Sequence, residues 1–308
     1  MRWVGFLLMA AGAFAQETSG VDLAMQGKCD EAMPKLDHVM LDPAVPDADK
    51  RQTSTAGVRC SMLLNQQTDA MSFLAWLQQH YPDDPEVLFL AVHVFSELSD
   101  RNAEHLMHAA PESPFVVQLN AENFEKHGEI PKAIAEYRIL LQRSPDMPGI
   151  HYRIGGLLML HAGSAAALSE AQKEFEAELK LNPQNASAEY YLGELAAQQN
   201  HPAEAIADYK RAVAIYPAFA DALAKLGRAL LDSGSTAEAI APLEKCVALS
   251  PENPAFHLAL ATAYQRGGRK ADAAREFALQ KSTSESINQN TKTLHKTVSG
   301  VVPEAKQP

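Results

Sequence analysis

The chain has 308 residues, with 27 basic and 38 acidic side chains and a formal net charge of −11. A surface of that sign repels phosphate backbones, and no basic patch with interleaved aromatics offsets it, so no nucleic-acid partner is expected. Past the N-terminus no stretch approaches the ~18 uninterrupted apolar residues of a membrane span, so none is expected in the mature chain.

Residues 1–15 read as a secretory signal peptide. Met1 and Arg2 give a short cationic start, Trp3 to Ala11 an apolar run, and Ala13-Phe14-Ala15 an A-x-A site, with cleavage expected before Gln16. The alternative is a buried or membrane-anchoring N-terminal helix; the small-residue site that ends the run favours cleavage. Export to the periplasm or beyond the cell is therefore expected. In such a compartment the odd set of Cys29, Cys60 and Cys246 suggests one pair and one leftover thiol.

Helical hairpins follow in chain order. The stretch from Gly20 to Leu36 reads as a truncated helix, a turn at Gly27, and a second helix with Ala32 and Leu36 four apart. The next unit runs from Pro46 to Tyr81, with Ala56 as its small residue and Ala70 and Leu74 four apart. The third, Pro82 to Ala110, is five residues short of a period of 34, and predicts a stubby second helix near Arg101 to Ala109.

Beyond this the pattern is regular. Pro111, Pro145, Pro183, Pro217 and Pro251 are spaced by 34, 38, 34 and 34 residues. Ten residues after each stands a small residue: Ala121, Gly155, Gly193, Gly227 and Ala261. Later come Ala133, Ala171, Ala205, Ala239 and Ala273, each followed four on by Tyr137, Phe175, Tyr209, Leu243 or Phe277. An i, i+4 pair of small then large lies on one helical face, so the large residue fills the gap that the small one leaves. Gly128, Asn200, Gly234 and Gly268 supply left-handed helix ends.

This pattern resembles the tetratricopeptide repeat family over about residues 18 to 281. The tryptophan position of the family holds Val117, His151, Glu189, Leu223 and His257, so the match is partial. The resemblance implies an all-α fold, a right-handed superhelical solenoid of about eight helical hairpins. Residues 16–110 would form degenerate hairpins, 111–281 a regular array, and 282–308 a polar C-terminal extension, partly disordered on its Ser, Thr, Asn and Gln content.

In this family the concave face is lined by fixed positions of each first helix. Carried over, these are Glu86, Phe89, His93, Gln118, Glu122, Tyr152, Tyr190, Glu194, Asp221 and Arg228. The lining is aromatic and mostly acidic, and lacks the lysines and asparagines with which chaperone-binding members grip a terminal carboxylate. The implied function is a non-catalytic protein-binding scaffold of the bacterial cell envelope, its partner a basic or apolar extended segment. A structural or glycan-associated envelope factor, with tyrosines stacked on sugar rings, is the alternative, and an enzyme without a recognisable motif the remote one.

Helix order lets Cys29, at the start of one helix, face Cys60, late in the next, as a disulfide; the other reading is two buried thiols. Cys246 takes a slot that wants a small apolar residue and is expected to be buried. His105 and His108, with His93 nearby, have a metal-compatible spacing but no companion motif, so no metal or other cofactor is expected. Neither a nucleophile motif nor a phosphate loop is present.

Overall fold

A computed structural model describes residues 18–161 and 163–301; the expected signal peptide lies outside them. Among the described residues every regular element is an α-helix, and the chain divides into two compact units between Glu112 and Ser113.

The first unit holds α1 (Gly20–Met25), α2 (Cys29–Leu41), α3 (Asp47–Leu63), α4 (Gln67–His80) and α5 (Pro85–Ala109). Helices α1 and α2 form one hairpin and α3 and α4 another. The close approaches follow the small-to-large rule: Gly20 lies against Leu36, and Gly57 against Phe73. In the second hairpin the contact is therefore set one residue away from the expected Ala56 and Leu74, both of which are buried nearby. Cys29 and Cys60 are joined as a disulfide with Cα atoms 5.1 Å apart, tying α2 to α3. Its loop of 31 residues sets the expected effect. Replacing both cysteines with serine should cost about 3 kcal/mol in a denaturant titration, and a stability equal to that of the native chain would remove this role from the bond.

The expected third hairpin does not form. Pro85–Ala109 is one continuous helix of 25 residues. Among the described residues, six hairpin turns contain a left-handed residue: Gly27, Asn65, Gly128, Asn200, Gly234 and Gly268. The turn slot itself holds Ser99, neither glycine nor asparagine, and the helix runs on; Asn102, three residues later, stays helical and donates to the Leu98 carbonyl at 2.7 Å. Arg101, in its middle, reaches back to the α3–α4 turn and donates to Asn65 Oδ1 at 2.7 Å and the Met62 carbonyl at 3.1 Å.

The second unit holds α6 (Pro114–Lys126), α7 (Ile130–Arg143), α8 (Ile150–Leu160), α9 (Ala165–Leu181), α10 (Ala186–Gln198), α11 (Pro202–Ile215), α12 (Ala220–Asp232), α13 (Thr236–Leu249), α14 (Pro254–Arg266) and α15 (Lys270–Val301). They pair in sequence as five hairpins. Prolines open α6, α11 and α14, where a missing N–H costs nothing. Gly155, Gly193 and Gly227 press on Phe175, Tyr209 and Leu243 as the repeat predicts, and these three large side chains are at most 2 % exposed. Among the described residues the array thus comprises seven hairpins and one lone helix.

Two expectations concern the C-terminal part. Cys246 is fully buried, and burial pushes its thiol up to about 12, so it is inert at neutral pH. The polar stretch after Ser282 extends the last helix, α15, which is continuous through Val301.

Candidate functional site

The second unit places α8, α10 and α12 so that their exposed sides frame two grooves. The first, about 740 Å³, is lined by Tyr152, Gly156, Met159 and Leu160 of α8 and Tyr191 of α10, with Glu125 and Arg153 at its rim. A Cβ at Gly156 would meet nothing within 4 Å, so this glycine leaves the groove floor open. Leu160 is 78 % exposed, an apolar side chain that water surrounds rather than protein.

An aromatic row runs beneath. Tyr152 lies 6.0 Å from both Phe175 and Tyr191, and Tyr191 stacks on the buried Phe175 at 5.4 Å. Tyr190 continues the row at 5.3 Å from Tyr191 and 5.1 Å from Phe219. Burial, with Glu194 and Asp221 close by, holds the Tyr190 phenol well above its usual range, and burial against Tyr191 does the same for Tyr152. Both stay neutral and present rings with hydroxyl tips, the combination that makes tyrosine an effective anchor.

The position of α8 depends on a residue outside the groove. Glu178, on α9, is wholly buried and accepts from the Gly149 amide at 2.9 Å, the Tyr152 amide at 3.4 Å and the Asn185 side chain at 3.2 Å. A carboxylate at a helix start satisfies amides that have no partner within the helix and meets the positive end of its dipole. Asn185 in turn caps α10 through the Ala188 amide. One buried acid therefore fixes the start of α8 and, through Asn185, that of α10.

The second groove, about 520 Å³, lies between α10 and α12 and is lined by Glu194, Gln198, Tyr209, Lys225, Arg228 and Asp232 among others. Glu194 accepts from the buried Tyr209 hydroxyl and from Lys225. The arrangement recurs two periods earlier along the array: Tyr137 donates to Glu125 at 2.9 Å, and Arg153 reaches Glu125 at 3.2 Å and Glu122 at 3.6 Å. Gln118 also donates to Glu122, at 2.9 Å. The expected acidic face is thus neutralised locally, because most of its carboxylates already hold a tyrosine, an arginine or a lysine of the same unit. Asp221 remains exposed in the first turn of α12, where the helix dipole favours it, and Arg228 is exposed.

The remaining expected residues belong to the first unit. Glu86 pairs with Arg51 at 2.9 Å, and Phe89 is 66 % exposed with His93 edge-on at 4.3 Å. His105 and His108 lie farther along α5, and among the described residues no group of three or more ligating side chains is placed to hold a metal.

The polar residues in the tryptophan slots have a structural explanation. His151 bonds Glu174 and the buried His257 bonds Glu276, each at 2.6 Å, while Glu189 accepts from Arg211 at 2.8 Å. Asp208 shares this last cluster; burial pushes its carboxyl up to about 6 against the pull of Arg211, with Glu189 adding to the rise. It helps to line a third groove between α9, α10 and α11.

Sequence reasoning missed Arg153, Lys225, Tyr191, Met159, Leu160 and Glu178. Arg153 and Lys225 both stand two residues before the small residue of their repeat, so a comparison slot by slot contained that signal.

With this geometry in view, the comparisons place the fold. Two tetratricopeptide repeat models match, at residues 168–220 and 230–281. The chain is a tetratricopeptide repeat protein. Among solved structures, this repeat protein is similar to the MamA protein, with 22 % identity, a TM-score of 0.51, and coverage of 58 % of this chain and 96 % of that one. A MamA fragment from Desulfovibrio magneticus RS-1 aligns with 22 % identity, a TM-score of 0.50, and coverage of 57 % and 97 %. YrrB, described as a tetratricopeptide repeat protein with an unusual peptide-binding site, aligns with 17 % identity, a TM-score of 0.50, and coverage of 62 % and 97 %. At these identities the likeness is one of fold. A comparison with curated proteins finds no match.

Proposed function

We propose that this repeat protein is an exported interaction scaffold of the bacterial cell envelope. It docks an extended, mainly apolar segment of a partner protein on the first helices of its second unit. The observation that carries the reading is the open groove of Tyr152, Tyr191, Met159 and Leu160, in which anchoring side chains are held by packing while an apolar edge stays exposed. Paired carboxylates along the same face favour an apolar segment over a strongly basic one. Export is supported by the A-x-A segment at Ala13-Phe14-Ala15 and agrees with the Cys29–Cys60 disulfide. The mechanism is binding alone, with no cofactor and no catalytic step.

The test is affinity capture from envelope extract with the native chain and with Leu160→Glu, whose site is exposed enough to leave the fold intact. A stoichiometric protein whose affinity falls about tenfold or more in the variant is the expected result. Equal capture by both would move the site off this groove, and retention on cell-wall material released by soluble sugar would replace the protein partner with a glycan.

A further inference from the structure

The lone helix α5 leaves uncovered a face that every complete hairpin buries. Counting from Pro82 and Pro217, Leu88, Val92 and Phe95 of α5 fall in the slots of Leu223, Gly227 and Leu230 of α12. In α12 that face meets the second helix of its own hairpin: Gly227 lies against Leu243 of α13, and Leu223 and Leu230 are 4 % and 3 % exposed in the same core. The α5 residues are instead 48 %, 67 % and 46 % exposed, and the neighbouring Phe89 is 66 % exposed. The opposite face of α5 is ordinary core, with Val87, Ala91 and Val94 buried against the first unit. Where no second helix approaches, the slot that elsewhere must be small holds Val92.

We propose that this face is the interface of a homodimer, in which α5 of a second copy takes the place of the absent second helix. Three arguments select a second copy. First, the face is built to receive a helix, and α5 itself carries the densest run of uncovered apolar side chains among the described residues. Second, the four exposed side chains offer roughly 500 Å² of apolar surface per copy. Two copies reach the lower end of the range for stable interfaces once the flanking residues are counted. Third, a two-fold axis across the helix near Val92 runs the copies antiparallel. Asp100 of one copy then turns toward Asp84 and Glu86 of the other, whose charges Arg51 already pairs at 2.9 Å, whereas a parallel pair would set Asp100 and Glu104 beside their own unpaired counterparts. Such a contact is isologous and closes at two copies.

The test is the mass of the full chain by light scattering over a wide concentration range, with Val92→Glu and Phe95→Glu beside it. The native chain should be a dimer and both variants monomers of unchanged helical circular dichroism. In Val92→Cys, oxidation should link two chains through residues that meet near the axis, and adding Phe95→Glu should abolish the link. A monomer at the highest soluble concentration would overturn the proposal, as would a dimer that survives both glutamates or assemblies that grow past two. Leu160→Glu should leave the dimer intact, which separates this interface from the docking groove.

Discussion

Glu178→Ala is expected to be the most damaging single change in the second unit. The substitution leaves the Gly149 amide and the Asn185 side chain without their buried acceptor, and the Tyr152 amide loses its longer contact. At about 1–3 kcal/mol for each buried group left unpaired, the loss should be on the order of 4 kcal/mol. Glu178→Gln keeps an acceptor but not the charge at the helix start, and should fall between the two. Glu176→Ala, at an exposed site two residues earlier, is the control and should change stability little. Urea titration of the three variants checks the ranking, and a Glu178→Ala midpoint equal to that of Glu176→Ala would remove the capping role. Because α8 supplies Tyr152, Gly156, Met159 and Leu160 to the groove, Glu178→Ala should also weaken partner binding without touching the partner.

Gly227→Ala should be the next largest single change in the second unit, against the usual direction for a helix. Alanine is normally favoured over glycine in a helix interior by about 1 kcal/mol. Here the added Cβ would lie 2.4 Å from Leu243 Cγ and 2.6 Å from its Cδ2, and Leu243 is fully buried. The crowded atom is the branch point of the side chain, so relief requires α13 to move as a whole. Overpacking of this kind costs about 1–3 kcal/mol, occasionally more, so a net loss of about 2 kcal/mol is expected. Gly156→Ala, with nothing within 4 Å, should instead stabilise by up to about 1 kcal/mol while narrowing the groove. Thermal melts of the pair should move in opposite directions; a shared direction would mean that the small slot does not set the spacing between helices.

Much of this architecture was legible because its rules are local. A glycine or asparagine that must turn left-handed marks five of the hairpin turns in the sequence, and Asn65 could have been found in the same way. The small-to-large pairs are equally readable, since both members lie 16 residues apart along the chain, or 20 where the insertion falls between Gly155 and Phe175. The lone helix was not, because stepping by a period presumes that each period contains a turn, and the stretch near Ser99 gives no positive sign of continuing. Glu178 was hidden for a different reason. Its partners are backbone amides, which every residue has, so no sequence pattern marks them. The slots carried over from the repeat are rich in tyrosine and acid, but a list of slots does not show that Arg153 and Lys225 would fold onto those acids. Leu160 sits next to the four-residue insertion, where the repeat register gives no guidance.

The pairs His151–Glu174, Glu189–Arg211 and His257–Glu276 each bridge the two helices of one hairpin. A single helix transplanted from one hairpin to another would bring its half of a pair against Leu223 or Val117, or against a mismatched charge, and would strand a polar group in the core. The indivisible module of this chain is therefore the matched hairpin. Duplication, deletion or recombination within the array can preserve a folded product when its junctions fall in the loops between hairpins, and is penalised when they fall in the turn inside one.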